Sequence, residues 1–276
     1  MPLTSSRVTS LPVTTSEQDS RCLSRMLPYH TSWSSLWHAS GRQGDRPDEQ
    51  DGFAGGSMDH DTAWRWVLDW GVVRDDLIVG ACPMAPEDID TIRRGTDATA
   101  ILSVQTDLCR GAFAIDYPAH VRRARALGLV PVNVPMRDFD PPDQRRRLPD
   151  AVAALARLLS LGHRVYVHCT AGINRSPLTI LAYLSFVERW STDDALAAIL
   201  AARPGAEPYW EAYHGARADL VDAHREAIAM MAWSLSPEQP ERTAEANWYD
   251  AEQRVIAAVL SGRDVAPRRR HDPHRS

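Results

Sequence analysis

The chain has 276 residues, of which 44% are hydrophobic and 24% charged, with a net charge of -5. This is the profile of a soluble globular protein with room for one full-sized domain and extensions, and it gives no electrostatic reason to expect nucleic acid or an anionic membrane as a partner. All 31 basic residues are arginine, which excludes chemistry that needs an amine, such as Schiff-base formation or a phosphate-loop lysine.

The longest apolar run, Leu178 to Val187, falls short of the ~18–20 residues that cross a bilayer. Cys22, Cys82, Cys109 and Cys169 form no C-x-x-C pair, and the ten histidines are scattered. The expectation is therefore reduced thiols in a cytoplasmic setting, with no metal and no other cofactor.

Residues 1–61 are rich in Ser, Thr, Gly and Arg with little periodicity, and are expected to be a disordered tail. Their early shortage of acids also resembles a transit peptide, with a start at Met58 as a further alternative. From Gly71 to Gly80 two short strands are expected about a turn. A helix then opens at Pro86, where the ring and the acids Glu87 and Asp88 suit a first turn. Ala100–Val104 reads as a buried strand, Pro118–Leu127 as a helix stopped by Gly128, and Leu129–Val134 as the next strand. Leu148, Val152, Leu155, Leu158 and Leu159 share one face of a helix running from Gln144 to Leu161, with Asp143 as its cap. Val165–His168 is the next strand and Pro177–Arg189 an apolar helix. Further helices are expected from a Thr192 cap to Ala202 and over Glu207–Val221.

Strands alternating with helices predict an α/β domain over 62–222 with helices on both faces of a sheet. A helical extension follows over 223–260, in which Trp233 and Trp248 read as core residues of a hairpin. A tail over 261–276 carries the arginines Arg268 to Arg270, which read as a solvated charge run.

The chemistry is concentrated in His168-Cys169-Thr170-Ala171-Gly172-Ile173-Asn174-Arg175-Ser176-Pro177. A strand ends, a tight loop follows, and a helix is expected to start at Pro177 with Ser176 as its N-cap. A loop running into a helix N-terminus turns backbone N–H groups toward one point, which makes an anion site. Into it the sequence places a cysteine, whose thiol such a field acidifies, and an arginine whose planar fork takes two phosphate oxygens. Ser176 is positioned to donate to the sulfur, while His168 is expected to hydrogen-bond backbone and shape the loop. The spacing H-C-x-x-G-x-x-R-S arises by accident on the order of once in ten thousand chains of this composition.

This pattern resembles the cysteine-dependent phosphatases of the dual-specificity class, and within it the glucan phosphatases of the laforin and plant starch-phosphatase type. Asp76-Leu77-Ile78-Val79-Gly80, Pro86 to Asp90, and Arg137-Asp138-Phe139-Asp140 with Arg147-Leu148-Pro149 extend the similarity over about Trp66 to Leu220. Two positions depart from the glucan type: Asn174 stands where its loop has glycine, and Ser176 is the general dual-specificity choice. The resemblance implies a central mixed sheet flanked by helices and a metal-free phosphomonoesterase working through a phosphocysteine. In it Cys169 is the nucleophile, Arg175 the phosphate clamp, Ser176 an aid to sulfur departure and Asp138 the acid, with Asp140 and Asp143 as competitors. The loop residues Thr170, Ala171, Gly172, Ile173 and Asn174 would bind the phosphate. Phe113 and Phe139 align with aromatic platforms for sugar rings, and equally suit a lid on the core.

The implied substrate is a phosphorylated glucan or a phosphoprotein. The alternative is a catalytically idle phosphatase-like module that binds phosphorylated ligands. Phosphoinositide hydrolysis usually comes with basic residues in the loop, and Thr170, Ala171, Ile173 and Asn174 supply none.

Overall fold

The computed structural model describes residues 66–236 and 242–265. The expected N-terminal tail, Cys22, Met58 and the arginines Arg268 to Arg270 lie outside the described residues.

Five strands form one mixed sheet in the order β1-β2-β5-β3-β4. They are β1 (Trp70–Arg74), β2 (Leu77–Gly80), β3 (Ala100–Ser103), β4 (Val130–Asn133) and β5 (Val165–His168). The first pair is antiparallel, joined by the expected short turn, which falls at Asp75 and Asp76, and the other three pairings are parallel. Every residue of β2, β3 and β5 is buried, because helices cover both faces of a parallel sheet. Alternate residues serve opposite layers, as a period of two requires. Leu77, Val79, Val165 and Val167 face one core, and Ile78, Ile101 and Tyr166 face the other. Pro131 is tolerated in β4 because that strand is an edge.

The helices are α1 (Pro86–Thr96), α2 (Asp107–Ala112), α3 (Tyr117–Ala126), α4 (Pro141–Ser160), α5 (Arg175–Ala182), α6 (Thr192–Ala202), α7 (Trp210–Ala223), α8 (Arg225–Leu235) and α9 (Ala244–Leu260). Pro86 does open α1, and the Asp88 carboxylate accepts from the Met84 and Ala85 amides at its start. Three expected boundaries are corrected. The cap of α4 is Asp140, whose carboxylate accepts from the Asp143 amide at 2.9 Å, so Asp143 lies inside the first turn. The cap of α6 is Ser191, one residue before Thr192. Helix α5 starts at Arg175, before Pro177, and Ser176 does not cap it.

Beyond Ala182 the apolar helix widens into a π-turn over Tyr183–Val187, within which the Ser185 hydroxyl donates back to the Leu181 carbonyl. The C-terminal helices pack as a pair through Ile228, Leu235, Ala251 and Val255, with Trp248 against them. Trp233, by contrast, is 79% exposed, because it shares the outer face of α8 with Ala229 and Met230. Ile256 and Leu260 of α9 enter the same hydrophobic cluster as β2, β5 and α5. No helix among the described residues is long and apolar enough to cross a membrane.

Candidate active site

The site forms where β5, the middle strand, gives way to α5. Cys169 follows the strand directly, and the loop Thr170–Asn174 leads to the first helical residue, Arg175. Four carbonyls of this segment turn outward to donors outside the ring. His168 Nδ1 donates to the Cys169 carbonyl at 2.9 Å. The Cys82 amide donates to Thr170 O at 2.9 Å and the Glu207 amide to Ile173 O at 2.7 Å. Arg203 Nη2 donates to Ala171 O at 2.8 Å. In a planar trans peptide the following N–H points the opposite way. The amides of Thr170, Ala171, Gly172 and Asn174 therefore face inward, where the N-terminus of α5 adds its positive dipole.

Gly172 makes this curl possible. Its φ is +72°, and a Cβ there would lie 2.7 Å from the carbonyl carbon and oxygen of Gly80. Any side chain would be strained twice, by its own backbone and by the end of β2.

Cys169 is buried beneath the loop, 3% exposed. Burial alone would keep its thiol neutral, but the Arg175 guanidinium and the hydroxyl and amide of Ser176 carry it below the ordinary thiol range. Ser176 Oγ donates to the sulfur at 3.4 Å. Cys82, nearby, goes the other way: burial and the neighbouring Cys169 push its thiol up to about 12. Two cysteines in one region thus differ in character because one faces a guanidinium and hydrogen-bond donors. Cys82, Cys109 and Cys169 are all free and buried.

Arg175 is completely buried. Its Nη1 donates to the Met136 carbonyl at 3.0 Å and to Cys109 Sγ at 3.3 Å. Its Nη2 donates to Thr170 Oγ1 at 3.0 Å and to Asp138 Oδ2 at 2.6 Å. Nε is buried without a protein acceptor among the described residues. Burial opposes the charge, yet Asp138 and the neighbouring thiols hold the guanidinium above its ordinary range.

Among the three aspartates of the preceding loop, geometry separates the roles. Asp140 caps α4, and Asp143 accepts from the Arg137 amide at 2.8 Å. Asp138 alone of the three reaches Arg175, with its side chain 9% exposed. Phe139 beside it has a φ of 53°, a left-handed conformation costing about 1–2 kcal/mol for a residue with a Cβ. Phe139 and Phe113 are both half-buried, Phe113 at the end of α2. The Asn174 side chain turns outward, its amide donating to the Glu207 carbonyl at 2.8 Å, so its contribution to the interior is backbone. Ile173 is 37% exposed at the rim. His168 is fully buried, which drives its pKa down to about 4, so the ring is neutral and shapes the loop through Cys169 O.

Several participants carried no signal in the sequence. Cys109 and the Met136 carbonyl brace Arg175, Gln105 Nε2 donates to Thr170 Oγ1 at 3.1 Å, and Arg203 holds the loop from the end of α6.

Residues 113–212 match the family described as dual specificity phosphatase, catalytic domain. The chain is 31% identical over 169 residues to the amyloplastic phosphoglucan phosphatase DSP4 of Castanea sativa, covering 60% of this chain and 44% of that one. It is 29% identical over 148 residues to laforin of Mus musculus, covering 50% and 45%. It thus spans under half the length of these relatives. The crystal structure of PTPMT1 overlays with a TM-score of 0.44 at 19% identity, over 53% of this chain and 90% of that one. Over residues 113–212 the chain thus resembles the catalytic domain of dual specificity phosphatases, and over about 60% of its length it is similar to a phosphoglucan phosphatase.

Proposed function

We propose that the chain is a phosphoric monoester hydrolase that works through a phosphocysteine. The observation that carries this reading is the convergence on Cys169 of inward amides, a buried arginine and one carboxylate. A phosphate dianion would take the loop amides and Arg175, whose unpartnered Nε and whose Nη2 edge suit two phosphate oxygens. The Cys169 thiolate attacks phosphorus, and the P–O bond to the leaving group breaks. That oxygen takes a proton from Asp138, which acts in its neutral carboxyl form once phosphate has replaced it on Arg175. Water then attacks the phosphorus of the thiophosphate. Its proton goes to the Asp138 carboxylate, the P–S bond breaks, and Cys169 leaves as a thiolate steadied by the Ser176 hydroxyl. Inorganic phosphate and the alcohol are the products.

The substrate we propose is a phosphorylated glucan, on the similarity to phosphoglucan phosphatases and laforin, with phosphoproteins as the second class. The three free thiols among the described residues suit a reducing, cytoplasmic setting. The test has two arms. Turnover of an aryl phosphate in EDTA should persist in the parent and vanish in Cys169→Ser, and substantial activity in that variant would refute the phosphocysteine. Initial rates on phosphorylated amylopectin should exceed those on phosphotyrosyl peptides. The reverse order would assign the chain to phosphoproteins.

A further inference from the structure

The outward carbonyls of the loop are not all held alike. Those of Thr170 and Ile173 are taken by backbone amides, of Cys82 and Glu207, which are themselves fixed by the fold. The Ala171 carbonyl is held by a side chain, Arg203 Nη2, at 2.8 Å. The peptide it belongs to joins Ala171 to Gly172, whose φ of +72° lies in the region only glycine visits freely. This is the peptide of the loop with the least intrinsic preference for one orientation. If it turned over, the Gly172 N–H would leave the interior and a carbonyl oxygen would replace it, setting a negative dipole against a phosphate.

Arg203 is built to prevent that. Its backbone ends α6, with its amide on the Ile199 carbonyl at 2.7 Å. Its side chain, 15% exposed, spans from the loop to Asp69, where Nη1 donates to Oδ2 at 2.7 Å. Asp69 in turn is tied to the end of β2, its carbonyl accepting from the Ala81 amide at 2.9 Å. The guanidinium therefore has one edge on the loop and the other on the chain entering β1, and its charge strengthens both hydrogen bonds.

We propose that Arg203 is a positioning residue for the phosphatase reaction: it fixes the Ala171–Gly172 peptide with its N–H turned toward the phosphate. The inference rests on the phosphatase reading of the same loop. It predicts that Arg203 acts on oxyanion affinity and on kcat/KM through Gly172, without touching substrate.

The experiment measures inorganic phosphate and tungstate binding by calorimetry in a Cys169→Ser background, where no turnover intervenes, and steady-state kinetics on an aryl phosphate with Cys169 intact. Arg203→Met should weaken oxyanion binding by about 10- to 100-fold, the scale of a lost hydrogen bond to a charged group, with a matching fall in kcat/KM. Arg203→Lys should recover most of the affinity, since one ammonium can still reach the carbonyl. Asp69→Asn, which leaves Arg203 present but loosens its anchor, should give an intermediate loss, and it carries the test if Arg203→Met does not fold. A residue that merely stabilises the fold would lower the melting temperature and leave the oxyanion affinity of folded protein unchanged. That result in Arg203→Met, or in Asp69→Asn if only that variant folds, would overturn the inference and leave the phosphatase reading standing. Failure of the Cys169→Ser parent to bind either oxyanion would refute both.

Discussion

Asp138→Asn separates three consequences of one contact. In the structure the Asp138 carboxylate sits on Arg175 Nη2 at 2.6 Å, with both side chains almost fully buried. It therefore occupies an edge of the guanidinium that a phosphate oxygen needs. With charge centres roughly 4 Å apart and an effective dielectric near 20, the attraction is about 4 kcal/mol. Part of it returns when the displaced carboxylate regains water, so the neutral variant should bind inorganic phosphate or tungstate about 10- to 100-fold more tightly. Leaving Arg175 without its partner should meanwhile cost about 3–5 kcal/mol of stability. Saturating phosphate should restore much of that by linkage, so the thermal shift on adding phosphate should be larger in the variant than in the parent. The chemistry should fall unevenly. A p-nitrophenolate leaves without a proton, whereas a sugar alkoxide does not. Single-turnover phosphoenzyme formation should therefore drop by ~10²–10⁴-fold on phosphoglucan and far less on the aryl ester. Asp140→Asn, which only caps α4, should show neither the tighter anion binding nor the asymmetry. If Asp140→Asn shows them and Asp138→Asn does not, the assignment of the acid is wrong. Unchanged anion affinity in Asp138→Asn would mean that the carboxylate does not compete for the guanidinium.

Three further outcomes can be checked directly. Gly172→Ala should cost about 1–2 kcal/mol in backbone strain and force the loop off the Gly80 backbone it would touch at 2.7 Å. Its kcat/KM should then fall far more than its melting temperature, and parent-like kinetics would show that the loop has slack. His168 is held neutral by burial, its pKa falling from 6.5 to about 4. The unfolded chain binds the extra proton in that window, so stability is full above 6.5 and is lost as pH falls toward 4, by about 2 kcal/mol at pH 5. Urea unfolding should lose less between pH 7.5 and 5 in His168→Asn than in the parent, with the remainder from His120, whose pKa burial also lowers. An identical loss in both would remove His168 as the source. Ile256→Ala should destabilise by about 2–5 kcal/mol, as for a sheet-core residue, and a change under 0.5 kcal/mol in urea unfolding would place α9 outside the cooperative core.

The parts of the fold that were legible in the sequence are those governed by local chemistry. The buried apolar runs of β2, β3 and β5, the Pro86 start of α1 and the Cys169-to-Arg175 loop announce themselves within a few residues. Boundaries were less legible where two residues of similar capping ability compete. Asp140 and Asp143 are both good caps, as are Ser191 and Thr192, and only the path of the preceding chain selects between them. Ser176 looked like a cap because a serine before a proline usually is one. Its hydroxyl is instead committed to the Cys169 sulfur, and the helix begins without a side-chain cap. Trp233 went astray because a single tryptophan cannot report which face of a helix its neighbours will bury. The braces of Arg175 and of the loop were invisible for a stronger reason. Cys109 lies 66 residues from Arg175 in sequence, and Arg203 lies 32 from Ala171. No periodicity links them, and Met136 contributes a carbonyl that any residue would carry.

The strand order has a consequence for how the protein comes to exist at all. β5 lies between β2 and β3, two strands made long before it, and is hydrogen-bonded to both. As the chain leaves the ribosome, β2 and β3 have no shared neighbour, and closing the sheet waits on an insertion across a gap of about 10 Å, two strand spacings. The inserting segment is the one that delivers Cys169. Cys169 is thus set in place in the same event that completes the sheet, and contacts this far apart in sequence make that event slow relative to helix formation. A half-made chain would expose two sheet edges but no acidified thiol. Alkylation read at Cys169 itself, at a pH where ordinary thiols are protonated, should therefore rise together with the final tertiary signal.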